Sequence, residues 1–566
     1  MSVTTDIHTA EEPATAKTGR RRRLALATAA VGLAAVGLFL AYLRMARAVP
    51  INADGGSNAL QAYDILHGNP LLSGWTLSDV SFYTTELLQY ALIQSVYGLN
   101  ADMVHVAAAM TYVLIVALVA ALAKGRATGA EAWFRIALAL AIVLVPTPGV
   151  GYMTLLSSPN HTGTAVPMLL TWLVLDRATA TRDGDARDRD ARDGGARERR
   201  WRLPIAVALL LAWGEIGDPL VTFVGAVPLI LVGAVRLLRA DEPWARRWRG
   251  LDARLIVAAL ASVALAHGFL TAVRMAGGFH APAPPISFAP VAALPDRVLA
   301  TADMVVVIFG LDRPGWQPSP VESGLALIHL IGLVLAACAV IVVVARAVRD
   351  TSSDAADRVS QVLVIAIACN IGAEIVSTLP SDIMAAREIS PVLPMAAALT
   401  GRVFGPYLSG IHPSGLRSRA ASLGRPALAA VLATLTIALV FYQPPRAAPA
   451  DNQDIAEWLE ARGLGYGLGS FWTASNITVT TSRRVTVVPV GGTERLLPYC
   501  WQSKTDWYDP RHDARFVVFD LERPVYGTPE VAVKQFGEPA QRHDFGRYAL
   551  LVYDFNLFDK LPPPCA

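Results

Sequence analysis

The sequence predicts a polytopic α-helical membrane protein of about eleven transmembrane helices, with a small extracytoplasmic α/β domain at the C-terminus. Three observations lead to that class. The 566 residues are 53% hydrophobic and 17% charged, with mean hydropathy +0.41, where a soluble chain carries about 25% charged residues. Long apolar runs alternate with short Arg-rich loops, as in a chain whose solvent is lipid. Beyond about Gln443 the pattern changes to short β-branched and aromatic runs bounded by Gly, Pro and Asp. The net charge of +3 is small and the basic residues scatter among loops, so no face is built for nucleic acid.

Residues 1–23 are polar and aperiodic, which predicts a disordered cytoplasmic N-terminus. Arg20–Arg23 then precede an apolar run from Leu24 to about Met45. That run can cross roughly 30 Å of hydrocarbon and exceeds the roughly 7–15 residue core of a signal peptide. It reads as an uncleaved first helix with its N-terminus held inside by the Arg cluster. The membrane domain, 24–442, continues with spans predicted at Val104–Ala123, Ile136–Met153, Gly163–Leu175, Leu203–Trp213 and Val221–Leu238. Others follow at Leu255–Val273, Leu325–Ala347, Val359–Leu379, Ile389–Leu399 and Ala427–Phe441. With the N-terminus inside, the cytoplasmic loops are Lys124–Arg135, Asp176–Arg202, Arg239–Arg254, Arg346–Arg358 and Gly401–Arg425, and these hold most of the Lys and Arg. The opposite loops, led by a long first outer loop at 47–103, are poorer in positive charge. An odd number of spans then places the tail, 443–566, outside the plasma membrane.

In the tail, Asp454–Arg462 has a helical pattern with Ile455, Trp458 and Leu459 on one face. Ile477–Thr481, Arg484–Pro489, Arg515–Asp520 and Tyr548–Tyr553 read as strands. Four cysteines are too few for a disulfide scaffold. Cys338 and Cys369 lie in apolar runs and are expected to pack; Cys500 and Cys565 can pair if the tail is extracytoplasmic.

The polar residues that could carry chemistry fall on the outer side. Asp54 stands just past the first helix, followed by Gly55 and Gly56, which let the backbone approach a ligand closely. Ala59–Leu66 reads as a short amphipathic helix near the interface. A carboxylate there can act as a general base or bind a divalent metal, or simply cap that helix. Glu86 opens a further helical stretch, where a carboxylate also suits the macrodipole. His161 lies in a loop. Glu215 and Asp218 sit in a very short turn where they can cap a helix or line a cavity. Glu374 lies inside an apolar span, where an ionisable group faces a polar cavity or a partner. Arg387 can fork onto a phosphate, pair with Glu374 or Glu388, or snorkel. No phosphate-binding Gly-Lys-Ser/Thr loop, dinucleotide fingerprint or zinc-spaced Cys/His cluster occurs. An enzyme of this kind would find its energy source in the substrate.

In layout, and at Asp54 and the segment Ala386-Arg387-Glu388-Ile389-Ser390-Pro391-Val392-Leu393-Pro394, the chain resembles the GT-C class of polytopic glycosyltransferases. That class includes protein mannosyltransferases, aminoarabinose transferases and actinobacterial arabinosyl- and mannosyltransferases. Asp54 matches the position of the acid in their first outer loop. The Arg387 segment resembles their Arg-Tyr-x-x-Pro-x-x-Pro entry into a late helix, with Glu388 in place of Tyr. The resemblance implies an inverting hexosyl- or pentosyltransferase that uses a polyprenyl-phosphate sugar donor and a glycan, lipid or protein acceptor in the cell envelope. It implies Asp54 as the general base and Arg387 on the lipid phosphate, with Glu86 and His161 as further lining residues; Glu374 joins them as a substrate-binding candidate from its place inside an apolar span. A transporter of lipid-linked glycans would show repeated halves and midplane charges. A non-catalytic envelope assembly protein would leave Asp54, Glu86 and Arg387 scattered.

Overall fold

A computed structural model describes residues 14–185, 195–241, 243–283, 287–311, 319–349, 357–380, 382–409, 415–444, 446–447 and 450–563. The first thirteen residues, the centre of the mixed-charge linker and Cys565 lie outside them. Ten of the eleven predicted spans each fall on one helix, the exception being Ile136–Met153. Among the described residues, seven helices are individually long and apolar enough to cross a bilayer: Ala25–Ala46, Asp102–Lys124, Thr222–Arg239, Leu251–Met275, Pro320–Arg349, Arg358–Val376 and Ser422–Phe441. The chain is thus a multi-pass membrane protein with a strand-containing C-terminal domain.

Several boundaries differ from the sequence reading. The first helix begins at Ala14 rather than Leu24, because the Ala-, Lys- and Arg-rich lead is helix-forming. The span at Ile136–Met153 divides into Gly129–Val143 and Val150–Leu155, since Pro146 and Pro148 cannot continue the hydrogen-bond ladder. The long segment Met275–Gly324, expected as an outer loop, contains an extra helix, Leu294–Ile308, with Pro at its start. Cys338 and Cys369 are free, and Cys338 is exposed rather than packed.

The helix Val392–Ser409 runs through the middle of the bundle, buried from Val392 to Val403. Near its end Arg402 donates to Asp176 at 2.7 Å, Asp357 at 2.8 Å and the Leu122 carbonyl at 2.8 Å. A buried guanidinium needs such complete pairing.

The C-terminal domain carries a six-stranded sheet in the order β4-β3-β2-β6-β8-β7. Its strands are β2 (Tyr466–Ser470), β3 (Thr486–Gly491), β4 (Leu497–Pro498), β6 (Phe516–Asp520), β7 (Gln541–Phe545) and β8 (Tyr548–Val552). Strand β2 lies parallel to β3 and β6, and the other pairs are antiparallel. A parallel pair needs a crossover, and the helix Phe471–Thr480 supplies it between β2 and β3. This corrects the strand expected at Ile477–Thr481. Its β-branched residues are buried in a helix wedged between the sheet and the helix Ala53–Leu66, so packing overrides propensity. The expected strands at Arg484–Pro489, Arg515–Asp520 and Tyr548–Tyr553 correspond to β3, β6 and β8, and the expected helix to Gln453–Ala461.

The domain is seated on the segment 47–103. There β1 (Trp75–Thr76) pairs antiparallel with β5 (Ser503–Lys504). Lys504 lies 3.0 Å from Asp64, which also accepts from the Trp75 indole at 2.8 Å. Trp75 meets Trp507 edge to face at 4.9 Å. The helix expected at Ala59–Leu66 as an interfacial element spans Ala53–Leu66 and is buried along most of its first three turns. It lies under the domain because the Phe471–Thr480 helix covers it.

Candidate active site

Asp54 sits in the first turn of the Ala53–Leu66 helix without capping it. Asn52 is the cap, accepting from the Gly55 amide at 2.6 Å and donating to Ser157 at 2.7 Å. Relieved of that duty, the Asp54 carboxylate turns to two other partners. Its Oδ1 accepts from Gln502 Nε2 at 2.7 Å, and its Oδ2 lies 3.6 Å from Arg387 Nη1. The Gly55-Gly56 pair makes this placement possible. A Cβ on Gly55 would stand 2.6 Å from the Ser158 carbonyl, and one on Gly56 2.8 Å from Asn476 Oδ1. The glycines thus serve a close approach of protein to protein, where the sequence suggested approach to a ligand.

Arg387 lies in the short helix Ile383–Ile389 that leads into the central Val392–Ser409 helix. Its side chain is 45% exposed and bridges Asp54 and Glu388, the latter at 3.3 Å. Glu388 in turn receives His161 Nε2 at 2.7 Å, while His161 Nδ1 meets Asp218 at 2.7 Å. A ring with a carboxylate at each nitrogen donates from both, which only the imidazolium can do. Asp218 is fixed by Thr164 and by the Leu220 amide. Asp218, His161, Glu388, Arg387 and Asp54 therefore form an alternating chain of charges drawn from four distant parts of the sequence. Burial opposes ionisation of Glu388, but His161 and Arg387 more than offset it and hold the carboxylate down at about 2. Asp79, from the segment 47–103, faces the same cluster. Burial raises its carboxyl above the usual range despite the pull of His161.

Two expected lining residues stand behind this surface. Glu86 does open its helix, Glu86–Tyr97, but is buried against the start of the helix that carries His161. A Cβ on Gly163 would clash with Glu86 Oε1 at 1.8 Å, so only glycine admits the carboxyl. Burial pushes Glu86 up to about 7. Since its native pKa exceeds its ordinary value of 4.5, the unfolded state loses this proton first, and stability falls as pH rises from about 4.5 to about 7. Glu86→Gln is expected to flatten that slope and to stabilise the protein at pH 8 by on the order of 2 kcal/mol, read from thermal melts in detergent across pH 5–8. Glu374 is also buried. Its partner is Arg297, at 3.2 Å, rather than Arg387, and Arg297 further donates to the carbonyls of Glu374, Ile375 and Leu379 at the end of that helix.

Gln502 and Asp79 escaped the sequence reading. Gln502 is buried, holds a left-handed backbone at φ 48°, and reaches Asp54 from the C-terminal domain. Nothing in Cys500-Trp501-Gln502-Ser503 marks it. Among the described residues, no group of three or more His, Cys, Asp or Glu side chains is placed to hold a metal. The carboxylates of the site face protein cations instead.

No family model matches the chain, and no curated protein does. Among solved structures the chain is similar to ArnT from Cupriavidus metallidurans, crystallised bound to undecaprenyl phosphate. The TM-score is 0.50, with 14% identity over 92% of this chain and 97% of that one. The chain has an ArnT-like fold. The match takes in the membrane bundle and the C-terminal domain together.

Proposed function

We propose that this protein is an inverting glycosyltransferase of the cell envelope, moving a hexose or pentose from a polyprenyl-phosphate donor to an acceptor hydroxyl at the outer face of the plasma membrane. The observation that carries this reading is the meeting of Asp54 and Arg387 at 3.6 Å on a partly exposed surface. On this reading the carboxylate is the base and the neighbouring guanidinium the phosphate ligand. Arg387 swings from Asp54 onto the phosphate oxygens and balances charge as the C1–O bond breaks and the lipid phosphate departs with the electron pair. Asp54, freed of Arg387 and still oriented by Gln502, takes the proton from the acceptor hydroxyl as its oxygen bonds to C1 from the opposite face. That single displacement inverts C1, and Asp54 later yields its proton to water. Glu388, fixed by the His161 imidazolium, stays paired with the guanidinium as it moves.

The carrier class is supported by the ArnT-like fold, since ArnT holds undecaprenyl phosphate, and by the lack of any nucleotide-binding motif in the sequence. The orientation, N-terminus inside and C-terminal domain outside, is supported by the segregation of Arg and Lys. Cys500, which is disulfide-bonded, suits an oxidising compartment. The test is to incubate the purified protein with a panel of polyprenyl-phosphate hexoses and pentoses plus envelope acceptors, following release of the lipid phosphate. Turnover of at least one donor is expected. Failure with every donor, by protein that is folded and reconstituted, overturns the reading.

A further inference from the structure

One edge of the C-terminal domain carries aromatic side chains that the mechanism above leaves unused. The helix Phe471–Thr480 opens with Phe471 and Trp472, while Tyr499 follows β4 and Tyr526 ends a short turn, Pro524–Tyr526. Their rings form a continuous set. Phe471 and Tyr499 are 5.4 Å apart, Tyr499 and Tyr526 5.7 Å at 82°, and Trp472 and Tyr526 6.3 Å at 80°. The Arg523 guanidinium stands 4.3 Å from the centre of the Trp472 ring. Phe471 is buried as a floor, whereas Trp472, Tyr499 and Tyr526 remain partly exposed.

Two links tie this edge to Asp54. Tyr499 lies three residues before Gln502, with the disulfide-bonded Cys500 between them, and Gln502 donates to Asp54. Tyr499 is close enough to feel that carboxylate: burial and Tyr526, with the Asp54 charge adding, push its phenol up to about 12. On the other side, Gly56 of the Asp54 helix packs on Ser475 and Asn476 of the helix that begins at Phe471.

The chemistry of the edge selects among ligands. The flat apolar faces match the C–H faces of sugar rings, and phenol, indole and guanidinium groups at their rims match sugar hydroxyls. A lipid chain would instead call for an unbroken apolar groove. We propose that Trp472, Tyr499 and Tyr526, with Arg523, form an acceptor subsite that binds a glycan and presents a terminal hydroxyl toward Asp54. Use of that hydroxyl rests on the transferase reading, but glycan binding does not.

The test uses the full chain in detergent with short manno-, gluco- and arabino-oligosaccharides as probes, read by calorimetry and tryptophan fluorescence. The wild type is expected to bind at least one series. Tyr526→Ala is expected to weaken that binding roughly tenfold, about 1.4 kcal/mol, and Trp472→Ala to do the same and abolish the fluorescence change. Tyr526→Phe, which keeps the ring, is expected to bind more tightly than Tyr526→Ala at an unchanged melting temperature. In the transfer assay Tyr526→Ala raises the acceptor KM and leaves binding of the lipid phosphate intact. Binding of no series by the wild type, or wild-type affinity in both alanine variants, overturns the proposal. Glycan binding with no turnover of any donor leaves the subsite standing and removes the transferase reading. Turnover whose acceptor KM ignores Tyr526 and Trp472 does the reverse.

Discussion

Replacing Asp54 by Asn is expected to lower sugar transfer by roughly 10²–10⁴-fold, the range of a lost general base, with little change in melting temperature. Asn is nearly isosteric, and its side-chain carbonyl can still accept from Gln502 as Asp54 does at 2.7 Å. What it cannot do is take a proton from the acceptor hydroxyl. The loss therefore falls on kcat more than on the KM of either substrate. Rate constants on an identified donor, set beside thermal melts of the same preparations, check this. A variant that turns over normally removes Asp54 from the role of base.

Arg387→Met is expected to cost about 10²–10³ in kcat/KM, comparable with removing one preorganised donor to a developing anion. Met fills much of the aliphatic volume of Arg, and the 45% exposure of Arg387 leaves room for it. The cost has two sources. The leaving phosphate loses its guanidinium, and Asp54 and Glu388 lose the cation between them, so that two carboxylates face each other and the incoming phosphate. Arg387→Lys keeps the charge but loses the planar fork, so it is expected to recover only part of the loss. The check is steady-state kinetics against donor concentration for the three proteins. Equal kcat/KM in Arg387→Met and wild type contradicts a role on the phosphate.

The membrane architecture is legible in the sequence because its signals are local: apolar length, loop charge and proline breaks. The helices at Asp102–Lys124 and Leu251–Met275 follow directly from them. The extra helix Leu294–Ile308 is harder, since its Asp296, Arg297 and Asp303 lower its hydropathy while its role is to pack beside Glu374. In the C-terminal domain β6 and β8 are continuous apolar runs and stand out. By contrast β2, Tyr-Gly-Leu-Gly-Ser, is masked by two glycines, and the next helix by its β-branched residues. At the candidate site, Asp54 and Arg387 could be named from sequence, and so could Glu388 as a partner of Arg387, but the meeting of Arg387 with Asp54 and the reach of Gln502 to Asp54 could not. The alternating charges of Asp218, His161, Glu388, Arg387 and Asp54 come from segments brought together only by helix packing. Asp218, expected as a cap, does accept from the Leu220 amide and orients His161 as well. Gln502 could be found only once the domain was seated on the segment 47–103, an arrangement fixed by the pairing of β1 with β5 and by Lys504 with Asp64.

The central claim is that Arg387 and Asp54 share one site but divide binding from chemistry. Equilibrium binding of undecaprenyl phosphate to the wild type, Arg387→Met and Asp54→Asn in the same detergent tests it most directly. The account predicts at least tenfold weaker binding for Arg387→Met, since a charge-assisted pair contributes about 1.5–3 kcal/mol. It predicts equal or tighter binding for Asp54→Asn, which removes a negative charge 3.6 Å from Arg387. Wild-type affinity in Arg387→Met, or a comparable loss in both variants, would contradict it.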